Sequence, residues 1–354
     1  MVAQQHPRRL ASSCKQALLV ISLLLGMSCA VAKPLQAMGY LAWWMPQSWK
    51  NLPLRELDRL FFFELKVDAT GTVLERHGWP EQWTELQQAA QQHQLPLDLT
   101  LTLFDSTTFN QLFTSPPAVA KLLVQCLELA SHAQVSGLQL DVEIYAGAQA
   151  VAVTRYREFL GQLSQQLHAL SPRRSVSVFL PVQTDAALYD AASLQGMDWV
   201  VAQSYDTHYS SSTHAGPVAP LKGADVLTWE SAAAEALALG VPKERLVLTF
   251  PLYGYEWLVA DRTLRSATQQ PGQTTTFAEV DAAVLPQLRV NISQRVAQYG
   301  ASHDPATGSA YYQYTNDQGQ PVEGWFEDWW SLKLKTAFVK TEKLAGMAFF
   351  VLGY

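Results

Sequence analysis

Cysteine is almost missing from this chain. Of 354 residues only three are Cys, and two of them, Cys14 and Cys29, fall in the first 32. If that stretch is removed, Cys126 stands alone and no intramolecular disulfide can form, so the fold must rest on a core large enough to do without covalent cross-links. Charge is also scarce: 16% of residues are charged, no Lys/Arg run occurs, and the formal net charge is −6. A chain that tracks nucleic-acid phosphates needs a basic footprint, which is absent here. No G-x-G-x-x-G turn follows a strand pattern, which speaks against dinucleotide binding on an open doubly wound sheet. His132, His208 and His214 lie on separate segments without ligand spacing, so no metal is expected, and no cofactor. What the chain has in quantity is aromatic residues, 11 Trp, 13 Tyr and 14 Phe. Part of this is ordinary core, and flat rigid rings are also what proteins stack on sugars.

The N-terminus reads as an address. Arg8, Arg9 and Lys15 precede an apolar run from Ala17 to Leu25, too short to span a bilayer, and Ala30-Val31-Ala32 supplies an A-x-A cleavage site. Residues 1–32 are therefore expected to be a signal peptide and the mature protein to be periplasmic or secreted, with a net charge of about −9. The alternative start, a lipidated Cys29 that would tie the chain to a membrane, lacks the usual Leu three residues earlier. Cys126 sits on the helical stripe Val119, Leu122, Leu123, Cys126, Ala130 and reads as a small buried hydrophobe.

From Lys33 onward, short β-rich runs alternate with helical patterns, the signature of βα units. Eight strands are expected, at Met38–Trp44, Arg59–Val67, Pro96–Phe104, Gly137–Ile144, Ser175–Pro181, Trp199–Ser204, Leu246–Pro251 and Gly346–Leu352. Helices are expected over Glu81–Gln94, Pro117–Gln134, Thr228–Leu239 and Asp328–Lys343, the last closed by Gly346, and over the apolar face Tyr156, Phe159, Leu160, Leu163, Leu167, Leu170. Eight such strands close a (β/α)8 TIM barrel. Residues 258–326 form an expected small α+β insertion after strand seven, containing a hairpin turned by Asn316-Asp317-Gln318-Gly319, and no clear final helix follows strand eight. The barrel domain covers residues 33–354 and is expected to be a monomer.

Strand four carries the chemistry. In Gly137-Leu-Gln-Leu-Asp-Val-Glu143, alternation puts Gln139, Asp141 and Glu143 on one face, whereas a parallel barrel strand is normally apolar on both. The stripe rises toward the C-terminal end of the strand, where barrel active sites sit. Residues i and i+2 are about 6.6 Å apart and point the same way. They cannot flank a scissile bond as paired carboxylates of an ordinary retaining glycosidase do. A same-side pair can divide labour, with outer Glu143 as general acid and inner Asp141 raising its proton affinity and holding a substrate group.

Ser136–Glu143, S-G-L-Q-L-D-V-E, resembles the strand-four motif D-G-x-D-x-D-x-E of glycoside hydrolase family 18, the chitinase family. Gly39-Tyr-Leu-Ala-Trp-Trp44 is similar to the first-strand G-Y-x-x-x-W, Gln203-Ser-Tyr-Asp206 to M-x-Y-D, and Pro251-Leu-Tyr-Gly-Tyr-Glu-Trp257 to P-F-Y-G-R-x-W. Trp325-Phe-Glu-Asp328 and Gly346–Leu352 resemble the closing segments. The resemblance implies a retaining hydrolase of β-linked N-acetylhexosamine glycans in which the substrate's own N-acetyl oxygen attacks the anomeric carbon. It implies catalytic roles for Glu143 as acid/base, Asp141 on the acetamido N–H and Tyr205 on the acetamido oxygen. Asp206, Gln203, Gln139, Trp44, Tyr40, Tyr253, Trp257 and Phe350 would bind substrate, an N-acetylglucosamine-containing oligo- or polysaccharide. The pattern departs at Ser136 and Gln139, where the motif has Asp. In the family the second Asp shares a proton with the third, so a neutral Gln139 that hydrogen bonds Asp141 predicts an Asp141 that ionises more readily. The alternative function is a chitinase-like glycan-binding protein with weak or no turnover.

Overall fold

A computed structural model describes residues 35–182, 188–278 and 290–354. The expected signal peptide, with Cys14, Cys29 and the Ala30-Val31-Ala32 site, lies outside these residues, as does part of the insertion. Eight parallel strands form the barrel: β1 Gln36–Ala42, β2 Arg59–Val67, β3 Leu97–Leu103, β4 Gly137–Val142, β5 Ser175–Leu180, β6 Trp199–Ala202, β7 Leu246–Pro251 and β8 Gly346–Phe350. Each pairs with the next, and β8 pairs with β1, so the sheet closes. Helices Thr84–Gln92, Pro116–Ser131, Ala150–Ala169, Trp229–Ala238 and Trp329–Glu342 pack outside. Cys126 is completely buried among them, and burial pushes its thiol up to about 12, an inert side chain.

The alternation along each strand decides what fills the barrel. In β3, Leu97, Leu99, Leu101 and Leu103 face the helices, while Asp98, Thr100 and Thr102 face inward beside Gly137, Gln139 and Asp141 of β4. Ser175, Ser177 and Phe179 of β5 continue the inner register. Opposite them stand Tyr40 and Phe61, stacked at 4.8 Å, with Phe63 and Phe350 at their edges. One side of the interior is thus polar and the other aromatic. At the N-terminal end Arg59 reaches Asp98 at 2.6 Å and Ser175 at 2.9 Å, which satisfies a carboxylate that burial alone would drive toward its neutral form.

β2 contains a bulge. Phe63 pairs with Thr100 but Leu65 pairs with Leu101, so Glu64 is an extra residue in the ladder. Phe62, one residue before inward Phe63, packs outward on Trp79 and Trp83. A regular strand would send Glu64 to that same apolar side. The bulge turns it inward instead, where Thr102 donates to its Oε2 at 2.7 Å.

Two expectations change in detail. The last helix is closed by Lys343 in the left-handed region (φ 59°), not by Gly346, which opens β8. A Cβ at Gly346 would lie 2.1 Å from the Gln36 carbonyl oxygen, so close strand pairing explains this glycine. The segment Glu81–Gln94 divides into a tight turn, Glu81–Trp83, and the helix from Thr84. Between β7 and β8 a second, mainly antiparallel sheet is ordered Val290–Asn291, Gln273–Thr276, Tyr253–Leu258, Pro321–Phe326, Ser309–Thr315, Ser302–Asp304, with helix Ile292–Tyr299 against it. Gly319 (φ 76°) makes the hairpin turn between Ser309–Thr315 and Pro321–Phe326. No helix follows β8 among the described residues; the chain folds back on β1 through Leu352 N–H to the Tyr40 carbonyl at 2.8 Å.

The second sheet is tied to the last helix by a fully buried ion pair. Lys335 Nζ lies 2.5 Å from Glu327 Oε2 and donates to the Gly308 carbonyl at 3.3 Å, while Ser309 donates to Glu327 Oε1 at 2.7 Å. Burial pushes the Lys335 pKa down and the Glu327 pKa up, each opposed by its partner. Removing one partner strands the other in an apolar site beside Trp229 and Phe250. Lys335→Met is expected to cost about 3–5 kcal/mol, and Lys335→Met with Glu327→Gln to recover most of it; urea unfolding of the three proteins checks this.

Candidate active site

The C-terminal mouth of the barrel collects most of the singled-out residues. Asp141 occupies the last turn of the β4 pleat and is buried; Glu143, one step beyond the strand, is partly exposed, and its N–H extends the ladder to the Leu103 carbonyl at 3.1 Å. The two carboxyls act on each other: burial raises both, and the charge of Glu143 raises Asp141 further. Asp141 stands well above the ordinary carboxylate range, first because it is buried, then through the charge and hydrogen bond of Glu143 and the charge of Glu64. Burial also raises Glu143, against hydrogen bonds from Tyr145 and Asp141.

Tyr145 and Gln203 bound Glu143 on the other side. The Tyr145 hydroxyl donates to Glu143 Oε2 at 2.5 Å and lies 3.2 Å from Gln203 Oε1, which also accepts from Val182 N–H at 3.3 Å. One phenol proton serves one acceptor at a time, and the shorter contact assigns it to Glu143. Tyr205 follows β6; its buried ring stacks on Phe350 at 5.8 Å and 17° and meets the edge of Tyr253 at 6.0 Å. Asp206 adopts a left-handed backbone (φ 61°), and its Oδ1 accepts from Tyr253 at 2.7 Å and Tyr255 at 3.3 Å. Trp44 donates its indole N–H to Tyr354 at 2.8 Å and sets its ring edge-on to Phe63.

Three residues expected to touch substrate do not line the mouth. Gln139 is 0% exposed; its Oε1 accepts from Thr100 at 3.1 Å and its Nε2 has no partner among the described residues, so the expected bond to Asp141 is not made. The spacing of same-face strand residues is too long for a direct amide–carboxyl contact unless both side chains lean together, and Gln139 leans sideways to β3. Trp257 is 1% exposed, with its indole N–H on the Ser210 carbonyl at 3.2 Å, and supports the second sheet rather than offering a stacking face. Tyr40 is likewise buried beneath Phe350 and Phe63. In exchange the structure adds Glu64, Tyr145 and Tyr255. Continuing the strand-four alternation by one step reaches Tyr145, which therefore left a signal in the sequence; Glu64 sits in a second strand that also carries Arg59 and Lys66, and alternation alone sends it outward.

Burial lifts the Asp206 carboxyl to about 6, only partly offset by the two tyrosine hydroxyls. The native state then binds a proton more tightly than the unfolded chain. This stabilisation is complete below the ordinary value of 3.8 and is lost as pH rises through about 6. Asp206→Asn keeps the acceptor and removes the titration. Its stability relative to the native sequence is expected to improve between pH 4 and pH 7, as thermal unfolding across that window would register; a constant difference would refute it.

The profile of the family described as Glycosyl hydrolases family 18 matches residues 36–354. The putative sporulation-specific glycosylase YdhD of Bacillus subtilis is 26% identical over 253 residues, 70% of this chain and 54% of that protein. The cortical fragment-lytic enzyme of the same organism is 23% identical over 291 residues, 76% of this chain and 60% of its own length. The chain thus spans somewhat more than half of these relatives. Among solved structures, the GH18 chitinase from Cycas revoluta in complex with (GlcNAc)3 superposes with a TM-score of 0.73 at 18% identity, covering 90% of this chain and 95% of that one. At that identity the likeness is one of fold.

Proposed function

From a chain that belongs to the glycosyl hydrolases of family 18, we propose a glycoside hydrolase that cleaves β-linked N-acetylhexosamine glycans with retention, the substrate supplying its own nucleophile. The observation that carries this is the same-side pair: Asp141 lies on the inward face of the strand and Glu143 continues that face one step beyond it, so neither is placed to attack the sugar face opposite the other. Glu143, at the mouth, takes the pair's single proton as Asp141 turns away and passes it to the glycosidic oxygen as the C1–O bond breaks and the acetamido carbonyl oxygen bonds to C1. Asp141 turns from Glu143 to the acetamido N–H and stabilises the positive charge on the resulting oxazolinium. Tyr205 donates its hydroxyl to the acetamido oxygen. Water then attacks C1, giving its proton to Glu143, and the acetamido oxygen leaves. Two inversions give net retention.

Phe350 and Tyr205 provide the aromatic floor, while Asp206, held by Tyr253 and Tyr255, and Gln203, held by the Val182 N–H, shape the polar rim. The named ligand of the Cycas revoluta chitinase, an N-acetylglucosamine oligomer, supports a substrate of that class here. The basic, apolar and A-x-A parts of residues 1–32 support action outside the cytoplasm. The test is incubation with N-acetylated and fully de-acetylated oligosaccharides. Acetyl-independent cleavage overturns the mechanism, and binding without cleavage would instead favour a lectin-like role.

A further inference from the structure

The polar side of the barrel holds a carboxylate that the reaction as written does not use. Glu64 is 6% exposed, delivered inward by the bulge in β2, and its Oε2 takes the proton of Thr102. Thr102 is the register partner of Asp141 on the neighbouring strand. A hydroxyl has one hydrogen, and this one points to Glu64. Toward Asp141 Thr102 can offer only lone pairs, and Asp141 Oδ1 has no hydrogen-bond partner among the described residues. Gln139 gives no help from below, since its amide leans to Thr100. The inner side of Asp141 thus faces the Glu64 carboxyl across the Thr102 hydroxyl, and no described group donates to its Oδ1, an arrangement that disfavours a second anion there.

We propose, on the basis of the substrate-assisted reading above, that Glu64 is a positioning residue: its charge keeps one proton on the Asp141–Glu143 pair and so keeps Glu143 supplied as an acid. Asp141 without a proton cannot donate to Glu143, and the two carboxylates would repel. Glu64 makes that doubly ionised state costlier by standing beside it as a third anion. The charge of Glu64 does act on Asp141 in this sense. Other groups facing these carboxyls act from fixed places: Tyr145 donates to Glu143, and Asp206, in a common field with Glu143, is held by Tyr253 and Tyr255. On the solvent side, Lys66 Nζ lies 3.9 Å from Glu64 Oε1 and 3.2 Å from Glu75, and His77 also feels Glu64. Lys66 is nearly half exposed, so it screens Glu64 without neutralising its effect on the buried side.

Glu64→Gln keeps an acceptor for Thr102 and removes the charge. The limb of the kcat/KM profile at which the pair loses its proton is expected to move to lower pH by about one unit, a tenfold change in proton affinity. Carbon-13 carboxyl NMR without substrate should show the same shift for Asp141 and Glu143. Glu64→Asp, which retains a carboxylate, should restore part of it. Glu64→Gln with Gln139→Asp, which supplies a charge beneath Asp141 from its own strand, should move the limb back up. Carboxyl titrations in Glu64→Gln that superpose on those of the native sequence overturn the proposal. So does a fall in rate and melting temperature that is uniform with pH, because that is the mark of a merely structural residue. If the native protein cleaves no N-acetylated glycan, the proposed reaction fails, while the NMR titration still decides the role of Glu64.

Discussion

Glu143→Gln leaves a folded protein that binds N-acetylated oligosaccharides and hydrolyses them about 10³-fold or more slowly. The amide fills the same volume and still accepts from Tyr145, whose hydroxyl donates to Glu143 Oε2. It can neither release a proton to the departing oxygen nor take one from water, so both halves of the reaction lose their proton carrier. The halves can be separated by the leaving group. An aryl glycoside that departs without protonation should form the oxazolinium more readily than an oligosaccharide does in this variant, while hydration of that intermediate stays slow. Undiminished hydrolysis of the oligosaccharide would remove Glu143 from the mechanism.

The second large effect is on the substrate. A fully de-acetylated oligomer is expected to be cleaved at least about 10³-fold more slowly than the acetylated one, because a well-placed internal nucleophile is equivalent to an effective concentration of roughly 10⁵–10⁸ M and nothing in the same-side pair replaces it. Removing the acetyl group also deprives Asp141 and Tyr205 of their partners. The product first formed from the acetylated oligomer should be the β-anomer, visible by proton NMR before mutarotation. Equal rates on the two substrates, or an α-anomer first, would refute participation by the acetamido group.

Much of this architecture was legible because it depends on period. Arg59–Val67 and Leu246–Pro251 were delimited as observed, and the other six barrel strands were placed to within a few residues, since runs of Val, Leu and Phe between helical patterns have few other uses in a chain of this length. The polar stripe of β4 was legible for the same reason. What periodicity does not encode is where it slips. The bulge at Glu64 reverses the facing of a side chain without any local composition to announce it, so a carboxylate that alternation sends to the helices arrives in the barrel. Tertiary placement also decides Trp257, whose motif position implies substrate binding and whose indole is instead enclosed under the Ser210 carbonyl. Gln139 was assigned a partner two residues along its own strand, whereas cross-strand neighbours are closer, and Thr100 took its oxygen.

The extra residue in β2 can also be viewed as a matter of reading frame. Strand facing is a two-letter code, in and out, and most single deletions in a barrel strand invert every letter downstream. Glu64 is the exception. Without it, Phe63, Leu65 and Lys66 would remain opposite Thr100, Leu101 and Thr102 in unbroken succession. The barrel wall is complete without this residue, so its carboxylate is an addition that can be gained or lost while every other side chain of the strand keeps its side.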